Sequence, residues 1–367
     1  MGLQCGIVGL PNVGKSTLFN ALTSSQNAQA SNYPFCTIEP NFGTVIIPDL
    51  RMDELHKIYK SKKIVPSTID FVDIAGLVKG ASKGEGLGNQ FLSHIREVDS
   101  IIHIVRCFDD DNVIHISGNV DPLRDIEIVE TELILKDLDI LEKRYDKVSK
   151  FVRVGDKKFK RELELLDELK KHLSSGRLAK YFFDELHHED KLHLSDLQLL
   201  TNVPVLYVAN VSDTDTQGNK YSEVVKEIAG KENAKYLVLS VEIESEIANL
   251  QSNEEKKEFL ETLGLKQSGL DRLIFESYSL LGLITFFTAS DRELHSWTIH
   301  KGMKAAEAAG KIHTDFERGF IRAEVIKYKD LIDLGSELAV REKGMLHVEG
   351  RDYEIQDADI VFYRFNV

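Results

Sequence analysis

Eight residues near the start of the chain, Gly9-Leu10-Pro11-Asn12-Val13-Gly14-Lys15-Ser16, have the types and spacing of a phosphate-binding loop. They follow the apolar run Cys5 to Val8 and open the helical run Thr17 to Leu22, the strand–loop–helix context that G-x-x-x-x-G-K-[ST] requires. Glycines at 9 and 14 let successive backbone N–H groups and the helix N-terminus converge on phosphate oxygens. Lys15 is placed to reach β- and γ-phosphates. The Ser16 hydroxyl is placed to ligate Mg²⁺, which otherwise keeps water and phosphate oxygens. A chance match in a glycine turn would not bring that strand and helix with it.

A second carboxylate is expected behind such a loop, and Asp73-Ile74-Ala75-Gly76 ends the strand-like run Thr68 to Val72. Asp73 would hold the magnesium shell through water, and the Gly76 N–H would sense a γ-phosphate. Between the two motifs Ser31 to Pro40 forms a polar, proline-marked stretch. Either it is an ordinary surface loop or its Thr37 closes on Mg²⁺ when a triphosphate is bound. Cys36 beside it reads as a small buried filler rather than a redox group.

Leu77 stands where Ras-like GTPases keep the glutamine that orients attacking water, and a leucine cannot do this. His94 and His115 are the helix and loop histidines, respectively, that could replace it. A structural role is the ordinary one for each, and His115, in the loop Asp111 to Ile116, is the better catalytic candidate. For the base, Asn210-Val211-Ser212-Asp213 keeps the asparagine and acid of the guanine-reading Asn-Lys-x-Asp pattern but lacks its lysine. Leu239-Ser240-Val241-Glu242 is expected to be the last base-contacting loop, acting through backbone amides. These residues leave ATP and GTP open.

The elements that must position these groups follow from the pattern of apolar runs. Cys5 to Val8, Thr68 to Val72, Ser100 to Val105, Pro204 to Ala209 and Tyr236 to Leu239 alternate with helical patterns, as in βαβ units with a mostly parallel sheet. From Pro122 to about Lys150, Ile126, Val129, Leu133, Leu135, Leu138 and Leu141 recur at close to helical period, and a second helical stretch runs from about Lys157 to Leu173. Strand-like sequence returns only at Pro204, so these predict a helical hairpin inserted into the α/β domain. After the helical pattern Leu270 to Leu281, runs such as Ile284 to Thr288 and Ile360 to Phe365 predict a separate C-terminal α/β domain. The expected division is 1–121 with 201–280 as the nucleotide domain, 122–200 as the insertion and 281–366 as the last domain.

The chain has 367 residues, 42% hydrophobic and 29% charged, enough for several cores. Its net charge of −14 disfavours general wrapping of nucleic acid. The hairpin's bend is different. Lys147, Lys150, Arg153, Lys157, Lys158, Lys160 and Arg161 face one acid, Asp156, which fits either a contact for RNA or another polyanion or a lysine-rich solvated loop. Met1 to Val8 has no charged leader region and reads as a strand, and no stretch is long and apolar enough for a membrane helix. Three cysteines, 5, 36 and 107, without a Cys-x-x-Cys pair suit a reducing compartment, so a cytoplasmic location is expected.

Together, Gly6 to Ser16, Asn32 to Asn41, Phe71 to Asn89 and Ala309 to Phe316 closely resemble the YchF/Obg-like ATPases of the translation-factor GTPase class, over essentially the whole chain. The resemblance implies a Ras-like phosphate-loop domain, a helical coiled-coil insertion and a C-terminal TGS domain of β-grasp type from about Ile284 to Asn366. It implies ATP preferred to GTP, with contacts at Asn12, Val13, Gly14, Lys15, Ser16, Thr17, Asn210 and Val211 and Mg²⁺ on Ser16 and Thr37. His115 resembles the loop histidine thought to assist hydrolysis, and Asn12 the asparagine that binds K⁺ in potassium-stimulated relatives. Members usually carry Glu where this chain has Asp213. Nucleotide-controlled binding to ribosomes, with a part in translation or stress response, is implied as well. A nucleotide-gated protein-binding module and a GTPase are the alternatives, and no acceptor-site motif supports a metabolic kinase.

Overall fold

The structure is a computed structural model that describes residues 3–30, 38–39, 41–74, 98–110, 113, 115, 118–250 and 252–366. Its first sheet contains β1 (Gln4–Val8), β2 (Ile38–Glu39), β3 (Phe42–Ile46), β5 (Thr68–Asp73), β6 (Ser100–Arg106), β7 (Val205–Asn210) and β8 (Lys235–Leu239). Their spatial order is β2-β3-β5-β1-β6-β7-β8. The β5-β1-β6-β7-β8 part is parallel, and β3 joins β5 antiparallel. The parallel strands are buried on both faces, which is why they read as near-continuous apolar runs instead of alternating ones.

Helix α1 (Lys15–Ala30) leaves the end of β1, and α2 (Leu50–Tyr59) follows β3 with Asp49 as its N-cap. The insertion starts with α3 (Pro122–Arg153), capped by Asp121 with proline in its first turn. It returns through α4 (Lys160–Ser174), α5 (Ala179–Glu185) and α6 (His188–His193). A core of its own, including Leu141, Leu165, Leu166, Leus 169 and 173 and Leu194, zips the hairpin together. At its root the buried Asp137 carboxylate accepts hydrogen bonds from the N–H of Leu200 (2.7 Å), the N–H of Thr201 (2.9 Å) and the Thr201 hydroxyl (2.6 Å). The chain then completes the first sheet through β7, α7 (Lys220–Lys231), β8, α8 (Val241–Asn249), α9 (Asn253–Thr262) and α10 (Gly269–Leu280).

The second sheet has the order β12-β11-β13-β9-β10-β4. Its C-terminal strands are β9 (Leu283–Ala289), β10 (Glu293–His300), β11 (Phe320–Lys327), β12 (His347–Glu349) and β13 (Asp359–Phe365). Helix α11 (Ala305–Ile312) packs on one face through Ala305, Ala308 and Ala309 against Phe286, Val325 and Val361. The edge strand β4 (Lys63–Val65) comes from the first part of the chain and pairs parallel with Glu293 to His295 of β10. With it comes α2, whose Met52 and Leu55 sit in the core on the sheet's other face with Phe287, Leu294, Leu331 and Ile360.

Thus the segment around 50–65, assigned by sequence to the nucleotide domain, is built into the C-terminal sheet. A three-residue strand has too short a pattern to announce a partner 230 positions away. Among the described residues no helix is long and apolar enough to cross a membrane.

Candidate functional site

The loop from Gly9 to Gly14 joins β1 to α1, and its backbone explains its residue types. Gly9, Asn12 and Gly14 have φ of 152°, 62° and 101°. A side chain on Gly9 would run into the Ile104 carbonyl, and a Cβ on Gly14 would lie 2.7 Å from Asn210 Nδ2. Asparagine is among the non-glycine residues that tolerate the left-handed region best. The first turn of α1 contains no acidic side chain, so its free N–H groups meet no competing anion.

Three side chains converge at this helix start. The Ser16 hydroxyl donates to Asp73 Oδ2 at 2.9 Å, and Lys15 Nζ donates to the Leu10 carbonyl at 2.8 Å. Burial lowers the Lys15 pKa, with the nearby Asp73 charge acting in the opposite direction. Asp73 ends β5 in a buried position, and its Oδ1 has no hydrogen-bond partner among the described residues. A buried, unpartnered carboxylate oxygen beside a serine hydroxyl is the donor set of a cation shell completed by water and phosphate oxygens, so these residues fit Mg²⁺. Among the described residues no group of three or more His, Cys, Asp or Glu forms a closed metal cage.

On the base side, Asn210 ends β7 and its amide spans two loops. Nδ2 donates to the Val13 carbonyl at 2.9 Å, and Oδ1 accepts from the Val241 N–H at 3.0 Å. This locks the phosphate loop to the start of α8. The Val211 side chain is buried with Val105, Cys107, Val225 and Ala229, so only its main chain is left for a base. Ser240 is buried and caps α8 at the Ile243 N–H. Asp213 is exposed in the short turn 213–215. A shallow pocket opens beside Leu239 and Ser240, lined also by Thr216, Ile243, Gln267 and Arg272.

His115 is held by an acid of the insertion. Its Nε2 is 2.9 Å from Asp125 Oδ2 in the first turn of α3, and its side chain is 6% exposed. Arg124 reaches the other oxygen of Asp125 at 3.2 Å. Thr37, Gly76, Leu77, His94 and Cys36 lie outside the described residues.

Sequence reasoning passed over three residues near the site. Arg106, buried at the end of β6, donates to the carbonyls of Phe108 (3.0 Å), Asp110 (3.2 Å) and Val113 (2.8 Å), shaping the loop that leads to His115. An arginine closing an apolar strand was its visible signal. Asp125, the His115 partner, looked like one more acid on a charged helix. His103, within β6, is pushed down to about 3, first by burial and then by the Lys15 charge. A lone histidine in an apolar run carried no signal of that neighbour.

Residues 4–143 match a family model described as a 50S ribosome-binding GTPase, and residues 283–366 match the YchF GTPase C-terminal family, described as a protein of unknown function. The Ribosome-binding ATPase YchF of Bacillus subtilis is 53% identical over 370 residues, and that of Escherichia coli O157:H7 49% over 367, each alignment covering 100% of both chains. A solved structure of the Schizosaccharomyces pombe YchF GTPase is 39% identical with a TM-score of 0.87, covering 99% of this chain and 98% of that one. A GTP-binding protein from Pyrococcus horikoshii, 21% identical with a TM-score of 0.62 and covering 99% of this chain and 100% of that one, shares the fold. Identity of this order, sustained from the phosphate loop through the inserted hairpin to the last strand, shows that the chain belongs to the YchF family.

Proposed function

We propose that the chain binds ATP with Mg²⁺, hydrolyses it to ADP and inorganic phosphate, and associates with ribosomes under control of the bound nucleotide. The Ser16–Asp73 pair carries this reading: hydroxyl and carboxylate meet beside Lys15, and one buried carboxylate oxygen has no partner among the described residues. Bound there, Mg²⁺ would neutralise charge on the β- and γ-phosphates as the terminal phosphoryl group departs. Ser16 supplies a ligand oxygen, Thr37 a second, and Asp73 orients the shell. Lys15 exchanges the Leu10 carbonyl for phosphate oxygens, and the amides of Asn12 to Thr17 with that of Gly76 hold the rest of the triphosphate.

ATP is preferred to GTP because Val211 offers no cationic stem over the base, and main-chain groups of Asn210, Val211 and Ser240 read adenine. Asn12 would hold K⁺, which would supply charge in place of an arginine finger. His115 assists hydrolysis only after it leaves Asp125, so His115→Ala should lower turnover without changing ATP affinity. Equal turnover would make the pair a staple at the root of the insertion. Ribosomes are met through 147–161, and the cytoplasm is the location that such a partner requires.

Calorimetric titration of ATP against GTP, with Lys15→Ala as control, tests the site. Tight ATP binding by Lys15→Ala would overturn it. Cosedimentation with ribosomes in ATP and in ADP, with K⁺ present, tests the switch. If neither nucleotide alters cosedimentation and ribosomes leave turnover unchanged, the protein is a binding module with incidental hydrolysis.

A further inference from the structure

We infer that the turn between α3 and α4 is a binding site for single-stranded RNA, in which an unpaired base stacks on Phe151 while the surrounding cations take the flanking phosphates. The inference rests on the ribosome association proposed above and names the chemistry that the tip would contact.

The turn is built around Gly155 at φ 92°, with open space where its Cβ would be. Phe151, in the last turn of α3, stacks on Phe159 with centroids 4.9 Å apart and planes 21° from parallel. Phe159 also packs on the core of the hairpin, so it forms a fixed base under a ring that is 40% exposed. Val154 beside it is 82% exposed. Two exposed apolar side chains at the far end of a long hairpin are too small a patch for a protein interface, yet they suit one stacked base.

The charges around them are not explained by folding. Lys147, Lys150, Arg153, Lys157, Lys158 and Lys160 are exposed, and none makes an ion pair among the described residues. Lys150 and Arg153 do complement the C-terminal end of α3. Lys157, Lys158 and Lys160 instead crowd the N-terminal end of α4, where the helix dipole disfavours cations. The one acid of the turn, Asp156, is occupied in capping the Lys158 N–H at 3.0 Å. Arg161 is different, because Asp190 holds it at 2.7 Å, and it is not part of the site. Mutually repelling, unpaired cations around an exposed aromatic ring form a phosphate-and-base surface in a protein whose net charge of −14 otherwise repels RNA.

The test uses the full chain and fluorescence anisotropy with a short labelled polyadenosine RNA, single-stranded and in duplex, alongside cosedimentation with intact ribosomes. Single-stranded RNA should bind more tightly than the duplex. Phe151→Ala should weaken it about tenfold, and Phe151→Tyr should retain it. The triple variant Lys157→Glu, Lys158→Glu, Lys160→Glu should flatten the salt dependence by about 0.7 in log–log slope for each cation lost, with ATP turnover unchanged. Unchanged RNA affinity in both the Phe151→Ala and the triple variant would overturn the inference. So would loss of ribosome binding in the triple variant with RNA affinity intact, since the tip would then meet an acidic protein segment. If the wild-type protein ignored ribosomes but needed Phe151 for RNA, the ribosome reading would fail and the RNA site would stand.

Discussion

Asp73 holds its two carboxylate oxygens in different circumstances, one accepting from Ser16 at 2.9 Å and the other buried with no partner among the described residues. Replacing the orphan oxygen's carboxylate by an amide removes charge from the cation shell while keeping shape. Asp73→Asn should therefore weaken ATP binding in Mg²⁺ by about 10- to 100-fold and leave binding in chelator almost unchanged, as calorimetry would show. His103 offers a second test, because its folded pKa of about 3 lies below that of an exposed histidine, about 6.5. Between those values the unfolded chain binds a proton that the folded chain does not, so stability falls as pH drops through the window. His103→Leu should reduce proton uptake on unfolding at pH 5 by about one, measured from the pH dependence of urea midpoints. Equal uptake in variant and parent would place the acid sensitivity elsewhere. The phosphate loop was legible because its groups are contiguous. His103 and Asp125 were not, since their roles come from Lys15 and His115 across space.

Helix α3 shows what periodicity can and cannot reveal about an element. Its apolar spacing announced a helix, and the structure extends it to Arg153. Its anchoring was hidden among its charges: the Tyr207 hydroxyl on β7 lies 3.0 Å from a carboxyl oxygen of Glu130 on α3 and 3.0 Å from one of Glu232 after α7, and Lys180 of α5 pairs with Glu232 at 2.7 Å. One phenolic proton cannot serve two carboxylates at once. Burial, and then the Glu232 charge, push Glu130 up to about 7, so it holds a proton at mildly acidic pH where an ordinary glutamate has lost it. A carboxyl raised in the folded state contributes stability that is present below the unfolded value, about 4.5, and lost as pH rises through about 7. Glu130→Gln should hold the root of the insertion equally well at pH 6 and pH 8, whereas the parent should loosen at pH 8. Hydrogen exchange of α3 amides at the two pH values would register this, and an unaltered pH response in the variant would refute it.

At the scale of the whole molecule, the alternation of strand and helix patterns suggested a division into three units, but it gave no sign of the seam between the first and last. Strand β4 and helix α2 close one edge and one face of the C-terminal sheet. A fragment comprising 281–366 therefore lacks an edge strand and the Met52 and Leu55 side chains. It should show reduced helix and strand content by circular dichroism, and adding a peptide spanning 47–66 should restore it. A cooperative, fully folded fragment would show that the seam is dispensable.

That seam also sets a timetable for the growing chain. Lys63 must find Glu293, its partner 230 positions later, and at about 5–20 residues per second the ribosome takes roughly 10–50 s to deliver it. Throughout that interval α2 has its apolar face uncovered and β4 has an open edge, beside a phosphate loop already emerged. The nascent protein is therefore a client for whatever shields short apolar segments during synthesis, and its C-terminal sheet closes only when the last strands have left the tunnel.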